Sequence, residues 1–413
     1  MEIRPILSAL LRQKTGPLLV AIQVAISLAI LANALFIVSQ RIATAERPSG
    51  IAQEQNVGYL SVEPLKRPSH NEIMAQHESD LRALRAIPGV TAAAFTNQMP
   101  MSRSGRSSSV RVSPGAQAET ATPAVYFAEG PDFFKTFGLN LIEGRALTDA
   151  DMSEHDDQTQ TESDGFPKNA VISLALAKLM FPDATTFTGK TFYFALGTDK
   201  ATHIVGVAER LQTTGASAKP AGEYSVILPM RISSQFWRYA LRAEPGQLAR
   251  VMREAEEKLR KAAPAQEVVR TRTVLQDRSE RYRNERAMAW MLVAVSVLLL
   301  LITVSGIVGM TMLRVAQRRK QIGVRRALGA KWGDIVRYFV TENLMTTTGG
   351  IVAGLLLAVG LNQLLMRQLE MGKLPLEYLA YGAAALWALG VASVYGPASR
   401  AANTSPAIAT RTV

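Results

Sequence analysis

The residue types able to do chemistry in this 413-residue chain are few and scattered. Thr188-Gly189-Lys190-Thr191 contains the Gly-Lys-Thr of a phosphate loop, whose backbone N–H groups cradle a polyphosphate while the lysine reaches its outer phosphates. Such a loop needs another glycine five positions before Gly189, and Ala184 stands there, in a stretch (PDATTF) that is not glycine-rich. The four histidines, His70, His77, His155 and His203, lack the spacing of metal ligands. Seven acidic residues crowd Asp149–Asp164, without the glycine and closing glutamate of an EF-hand loop, and read as a solvated insertion. The absence of cysteine removes thiol nucleophiles, thiolate metal sites and disulfides. No HExxH, GxSxG or dinucleotide fingerprint is present. We therefore expect no catalytic, cofactor-binding or metal site in this chain.

One segment stands apart. Arg314–Glu342 (RVAQRRKQIGVRRALGAKWGDIVRYFVTE) carries eight basic residues, opposed by Asp334 and Glu342, between the uncharged runs Ala287–Leu313 and Asn343–Met366. A short basic loop between two apolar spans is held in the cytoplasm by the positive-inside rule. Ile322, Ala327 and Leu328 fall near helical spacing, Gly329-Ala330 breaks it, and Ile335, Phe339 and Val340 resume it. The pattern predicts a short amphipathic helix, a tight break and a second helix entering the membrane. Such a loop either only orients the spans or docks a cytoplasmic partner.

The elements that would position this loop are membrane helices. The net charge of +12 lies mostly in three short segments, before Lys14, in the loop and in the tail at Arg400 and Arg411. Each flanks an apolar run, whereas a nucleic-acid binder spreads its basic residues over a folded surface. Residues 1–14 read as a cytoplasmic interfacial helix. Transmembrane helices are expected at 15–40, 287–313, 343–366 and 378–399, each long enough for a hydrocarbon core of about 30 Å. Ala43-Thr44-Ala45 mimics a signal-peptidase site, but the apolar run before it is too long for a signal peptide. The spans contain no Asp, Glu, Lys, Arg or His, which disfavours a proton-coupled carrier. Their polar residues Gln23, Asn33, Asn362 and Gln363 suit bonds between helices. Gly349, Gly350, Gly354 and Gly360 give the third span a small-residue packing face.

Between the first two spans, 41–272 has ordinary globular composition. A helix is expected over Asn71–Ile87, with His77 on its apolar side, and another over Gln247–Ala262. Strands are expected at Val90–Phe95, Ser108–Val112, Lys190–Phe194, Ala201–Glu209, Tyr224–Met230 and Val268–Thr273. Phe133, Phe134, Phe137 and Leu139 read as apolar anchors. The fold class is thus an α-helical membrane protein with four transmembrane helices and a large α+β extracytoplasmic domain inserted between the first two. Residues 273–286 read as a stalk helix continuous with the second span, 367–377 as an outer turn and 400–413 as a cytoplasmic tail.

The wording QIGVRRALGAKWGDI, followed by a Phe, a Glu and a glycine-rich span, resembles the MacB/FtsX-type ABC transporter permeases. The block DFF…G…L..GR after Pro131 is similar to the MacB-type periplasmic core domain. The tail YGPASRAANTSPAIATR resembles that family's ending. The resemblance implies an inner-membrane permease that is not itself an enzyme, with both termini cytoplasmic and the large domain periplasmic. It implies that ATP and Mg are held by separate ABC ATPase subunits, since no ATPase segment precedes the first span. The coupling surface would be Arg325, Arg326, Gly329, Ala330, Lys331, Trp332, Asp334 and Ile335. A second permease copy or sibling, a periplasmic adaptor and an outer-membrane channel are implied partners, with membrane lipid and no nucleic acid. The implied function is efflux driven by motion of the outer domain. A lipoprotein-releasing permease of the LolC/LolE type and an FtsX-like signalling scaffold are the alternatives. The family often has a small polar residue where Lys331-Trp332 stands.

Overall fold

The computed structural model describes residues 15–65, 68–115, 120–156, 165–196, 198–234, 236–262, 267–369 and 372–403. The interfacial helix expected at 1–14, the second half of the acidic insertion and the tail beyond 403 lie outside them. The chain divides into two compact units, one running from Ala45 to Arg283, the other made of the residues on either side.

The unit Ala45–Arg283 is α+β. Its first sheet uses β1 (Val57–Pro64), β2 (Val90–Thr96), β12 (Trp237–Ala243) and β13 (Glu267–Thr273), in the antiparallel order β13-β1-β12-β2. Helix α2 (His70–Arg85) links β1 to β2, and α5 (Leu248–Ala262) links β12 to β13. This is a split βαβ plan. Its middle connection, from β2 to β12, has been expanded into a second layer. That layer is a mixed sheet built on β4 (Ala124–Phe127), β7 (Asn169–Ser173), β8 (Thr191–Leu196), β9 (Thr198–Ala208) and β10 (Ser225–Leu228), with β3 (Val110–Arg111) and β5 (Leu141–Gly144) at its margins. A small parallel pair joins β6 (Ser153–His155) to β11 (Met230–Ile232).

Both faces of the first sheet are buried. Leu60, Val62, Phe95, Trp237, Tyr239 and Leu241 face α2 and α5. Tyr59, Ala94 and Ala240 face the short helix α3 (Asp132–Phe137), whose Phe133 and Phe137 stack at 4.2 Å. Gly138 ends α3 at φ +61°, where a Cβ would meet Ala52 and Arg242 at 2.8–2.9 Å. α2 starts with a capping box between Ser69 and Glu72, which satisfies otherwise orphaned N–H groups.

The expected stalk is different. Helix α6 (Val274–Arg281) begins at a Thr273–Gln276 capping box and ends at Tyr282, and α7 (Arg283–Gln317) begins beyond it. α6 is fixed to the α+β unit. Its Arg278 meets both oxygens of Glu54 at 2.7 and 2.5 Å and donates to the Ala45 and Arg47 carbonyls. Tyr282 is buried between Arg278 and Arg281. Those contacts tie 273–282 to the α+β unit and interrupt the rod predicted there.

The other unit is helical. Helices α1 (Thr15–Glu46), α7, α9 (Trp332–Leu369) and α10 (Leu376–Ala402) are each long and apolar enough to cross a membrane. At 1.5 Å per residue all four exceed the roughly 30 Å core, so each extends past the span read from sequence. α1 is the central one. It meets α7 through Gln23 Nε2 donating to the Ile302 carbonyl (2.9 Å) and a Ser27–Thr303 hydroxyl pair (2.7 Å). It meets α9 through Asn33 Nδ2 donating to the Ala358 carbonyl (3.1 Å), and α10 through Tyr378 donating to Ser39 (2.8 Å). Asn362 instead accepts from the Leu374 N–H at the connection into α10, and Gln363 is exposed.

Candidate functional site

The basic segment folds as helix α8 (Arg319–Ala327), a turn at Leu328–Lys331 and the start of α9, with no boundary between the loop's second half and the third span. Gly329 makes the turn possible at φ +94°, a left-handed conformation that side chains resist. α9 then starts with the Asp334 carboxylate accepting the Lys331 N–H at 2.9 Å, a negative group at the positive end of a helix dipole.

Three sets of contacts brace the join of α7, α8 and α9 and hold α8 to α10. Glu342, 2% exposed in its side chain, pairs with Arg314 at 3.4 Å and Arg318 at 3.2 Å. Arg318 also donates to the Tyr338 hydroxyl at 2.5 Å, and the Arg325 guanidinium lies 5.1 Å from the same ring. On the other side, Arg326 donates to the Ala402 carbonyl, one of the acceptors a helix C-terminus leaves free. Underneath, Ile322, Ile335, Val336 and Phe339 join one apolar core with the spans. A push on the turn therefore meets a braced element rather than a loose loop.

The outward surface is apolar and basic together. Val324 is 52% exposed, Leu328 83% and Trp332 39%, at spacings of four residues, with Arg325 and Lys331 beside them. Of the eight residues expected to couple, Arg325, Gly329, Lys331, Trp332 and Asp334 are exposed and Ala330 is half-buried. Ile335 is buried and Arg326 is turned onto α10, so those two serve the packing of the unit. Glycine packing is narrower than the sequence pattern. A Cβ on Gly350 or Gly354 would strike Ala21, Val24, Ala25 or Leu28 of α1 within 3.0 Å, whereas Gly349 and Gly360 face open space.

Elsewhere the chemically tempting residues are occupied. The Gly-Lys-Thr run is a turn into β8, with Gly189 at φ +83° and its N–H on the Ile204 carbonyl. His77 is buried against Glu129 at 3.0 Å, His70 bonds Glu154 at 2.6 Å, and His203 bonds Thr191 at 2.9 Å. Among the described residues no three His, Cys, Asp or Glu side chains are grouped to hold a metal. In the acidic insertion, Asp151 is bound by both nitrogens of Arg145 at 2.6 and 2.9 Å and by Thr148 and Asn169. These partners hold its carboxyl well below the usual carboxylate range.

Two family models match the chain, the first reaching from α1 through most of the α+β unit. The MacB-like periplasmic core domain matches residues 22–261, and the FtsX-like permease C-terminal domain matches 293–406. The chain belongs to the MacB/FtsX permease family. A macrolide export ATP-binding/permease protein, MacB, of Agrobacterium fabrum is 25% identical over 264 residues, covering 60% of this chain and 37% of that protein. MacB of Bradyrhizobium diazoefficiens is 33% identical over 126 residues, 30% of this chain and 19% of the relative. A pyoverdine export ATP-binding/permease protein, PvdT, of Pseudomonas syringae pv. syringae is 31% identical over 127 residues, 31% of this chain and 19% of the relative. The chain spans less than half the length of these curated relatives. A solved heavy metal efflux pump aligns with a TM-score of 0.19 and 10% identity, values from which nothing follows.

Within a MacB/FtsX permease, the FtsX-like match takes in α8 and the whole braced turn, and the core-domain match takes in α3 with its phenylalanines. Val324 and the Glu342 tether are what sequence reading passed over, and Leu328, read there as part of the apolar helical pattern, is 83% exposed. A lone glutamate at the mouth of an apolar span is the signal that carries the tether.

Proposed function

We propose that this protein is the permease subunit of a MacB-type ABC exporter. It would sit in the bacterial inner membrane with both termini cytoplasmic and the α+β unit in the periplasm. ATP hydrolysis is assigned to partner ABC ATPase subunits, supplying the ATP-binding function named for the relatives. Two permease copies, identical or sibling, would face each other, and an adaptor with an outer-membrane channel would receive the cargo. The cargo is assigned to the class named for the relatives, a macrolide- or pyoverdine-like export substrate.

The observation that carries this reading is the exposed Val324–Leu328–Trp332 surface on an element braced to α7, α9 and α10. Three apolar side chains, Val324, Leu328 and Trp332, stay in water beside basic ones on this braced element, which is the composition of a partner contact. Nucleotide-driven closure of the ATPases would push this turn, and the Glu342 and Arg326 tethers would pass the push into the spans.

Leu328→Asp tests it, because the Leu328 side chain is 83% exposed. Losing a buried leucine contact of about 2–3 kcal/mol predicts a 30- to 150-fold weaker hold on the co-expressed ATPase. Substrate-stimulated hydrolysis should fall with it, while the thermal unfolding of the permease stays unchanged. Normal ATPase capture and stimulation by the variant would overturn the docking assignment.

A further inference from the structure

At the end of the helical unit nearest the basic turn, α7, α8 and α10 enclose a cleft of about 430 Å³. Its floor is apolar, with Met312 and Val315 from α7, Ile322 from α8 and Pro397 from α10. Two exposed arginines, Arg319 and Arg400, stand at its rim. The chain's nearby glutamate, Glu342, is taken up by Arg314 and Arg318, and no acidic side chain lines the cleft. Among the described residues Arg319 and Arg400 make no ion pair.

We propose that this cleft binds an anionic phospholipid, the phosphate held between Arg319 and Arg400 and the first part of an acyl chain lying on the Met312–Pro397 floor. The position fits the occupant. The cleft opens where apolar, membrane-length helices give way to the basic segment, which is the depth of a headgroup. The charge fits too, since basic pockets between membrane helices recognise acidic headgroups. The chain's own residues 404–413 complement it poorly, having one arginine and no acidic side chain. A lipid seated there would link α8 to α10 by a second route, beside the Arg326–Ala402 bond, and would make the bracing of the coupling turn depend on membrane composition.

The inference rests on the helices crossing a bilayer, which resistance of the membrane-bound protein to alkaline extraction tests separately. The full chain, purified in mild detergent, is titrated with phosphatidylglycerol and with phosphatidylcholine of matched chains, and bound lipid is counted by native mass spectrometry. At about fivefold per arginine, phosphatidylglycerol should be retained about 30-fold more tightly. Arg319→Gln with Arg400→Gln should bring the two lipids level. Ala316→Trp, which fills the cleft without altering charge, should weaken retention of phosphatidylglycerol. Glycerol 3-phosphate should not compete. Equal retention of both lipids by the wild type, a preference that survives the double substitution, or displacement by glycerol 3-phosphate alone would each overturn the proposal. So would a gain in phosphatidylglycerol binding on removing 404–413, which would mark the tail as the resident occupant.

Discussion

Removing the Glu342 carboxylate should loosen the start of α8, where Arg318 is held. In Glu342→Ala, Arg314 and Arg318 would be left with side chains only 14% and 18% exposed and no counter-charge. Breaking a buried pair by deleting one partner costs about 3–5 kcal/mol, and the partial exposure of both cations places this case near 3 kcal/mol. If that energy acts on the local equilibrium that releases α8, the open fraction rises about 150-fold. Amide hydrogen exchange of 319–327, followed by mass spectrometry on the reconstituted chain, reads this opening directly. Protection there should fall about 100-fold, while the α+β unit keeps its protection. Arg318→Ala and the double variant complete a cycle whose coupling energy should be about 1–3 kcal/mol. Exchange within threefold of wild type in Glu342→Ala would refute the idea that this glutamate braces the turn.

Gly354→Ala should separate α1 from α9, because the new Cβ meets the Ala25 carbonyl and Leu28 Cβ at 2.9 Å; a loss of about 1–3 kcal/mol would show as a lower melting temperature in detergent. Gly360→Ala, with open space around it, should be neutral or slightly stabilising, since alanine is the better helix former. Asp151 has a depressed carboxyl pKa in the native state, first because of Arg145. Its contribution is therefore full above the ordinary carboxylate pKa of about 3.9 and lost as pH falls through its native value. Denaturant titrations between pH 7 and pH 3 should find that Asp151→Asn is less stable by a constant margin down to about pH 4, and that the gap only begins to narrow below it.

The helical unit was largely legible because its signals are long and uninterrupted. Uncharged runs give the spans, Gly329 gives the break, and the flanking basic residues give the loop. The outer sheet was legible only at its edges. β2 and β13 were read from sequence, while β1 and β12, the two central strands, were not. β1 (VGYLSVEP) is buried on both faces and lacks the alternation that marks a half-exposed strand. β12 (WRYALRA) misleads in the opposite way, since Arg238 and Arg242 look like solvent-facing positions. Arg238 is in fact buried, donating to the Asn97 carbonyl at 2.5 Å, and Arg242 donates to the Thr136 and Ala52 carbonyls. Pairing with carbonyls from distant loops cannot be read from local spacing. For the same reason the Glu342 tether, which joins residues 24 and 28 positions apart, was invisible, whereas the break at Gly329 was not.

The split plan of the outer sheet also sets a timetable for synthesis. β1 is made first and lies in the middle, and both strands that flank it come from the far end of the domain, β12 from Trp237 and β13 from Glu267. At about 5–20 residues per second, the ribosome needs roughly 10–35 s to reach β12 after finishing β1. Throughout that interval a strand with two apolar faces must wait without either of its neighbours. Unpaired strand edges invite misassembly, and the long wait makes β1 such an edge.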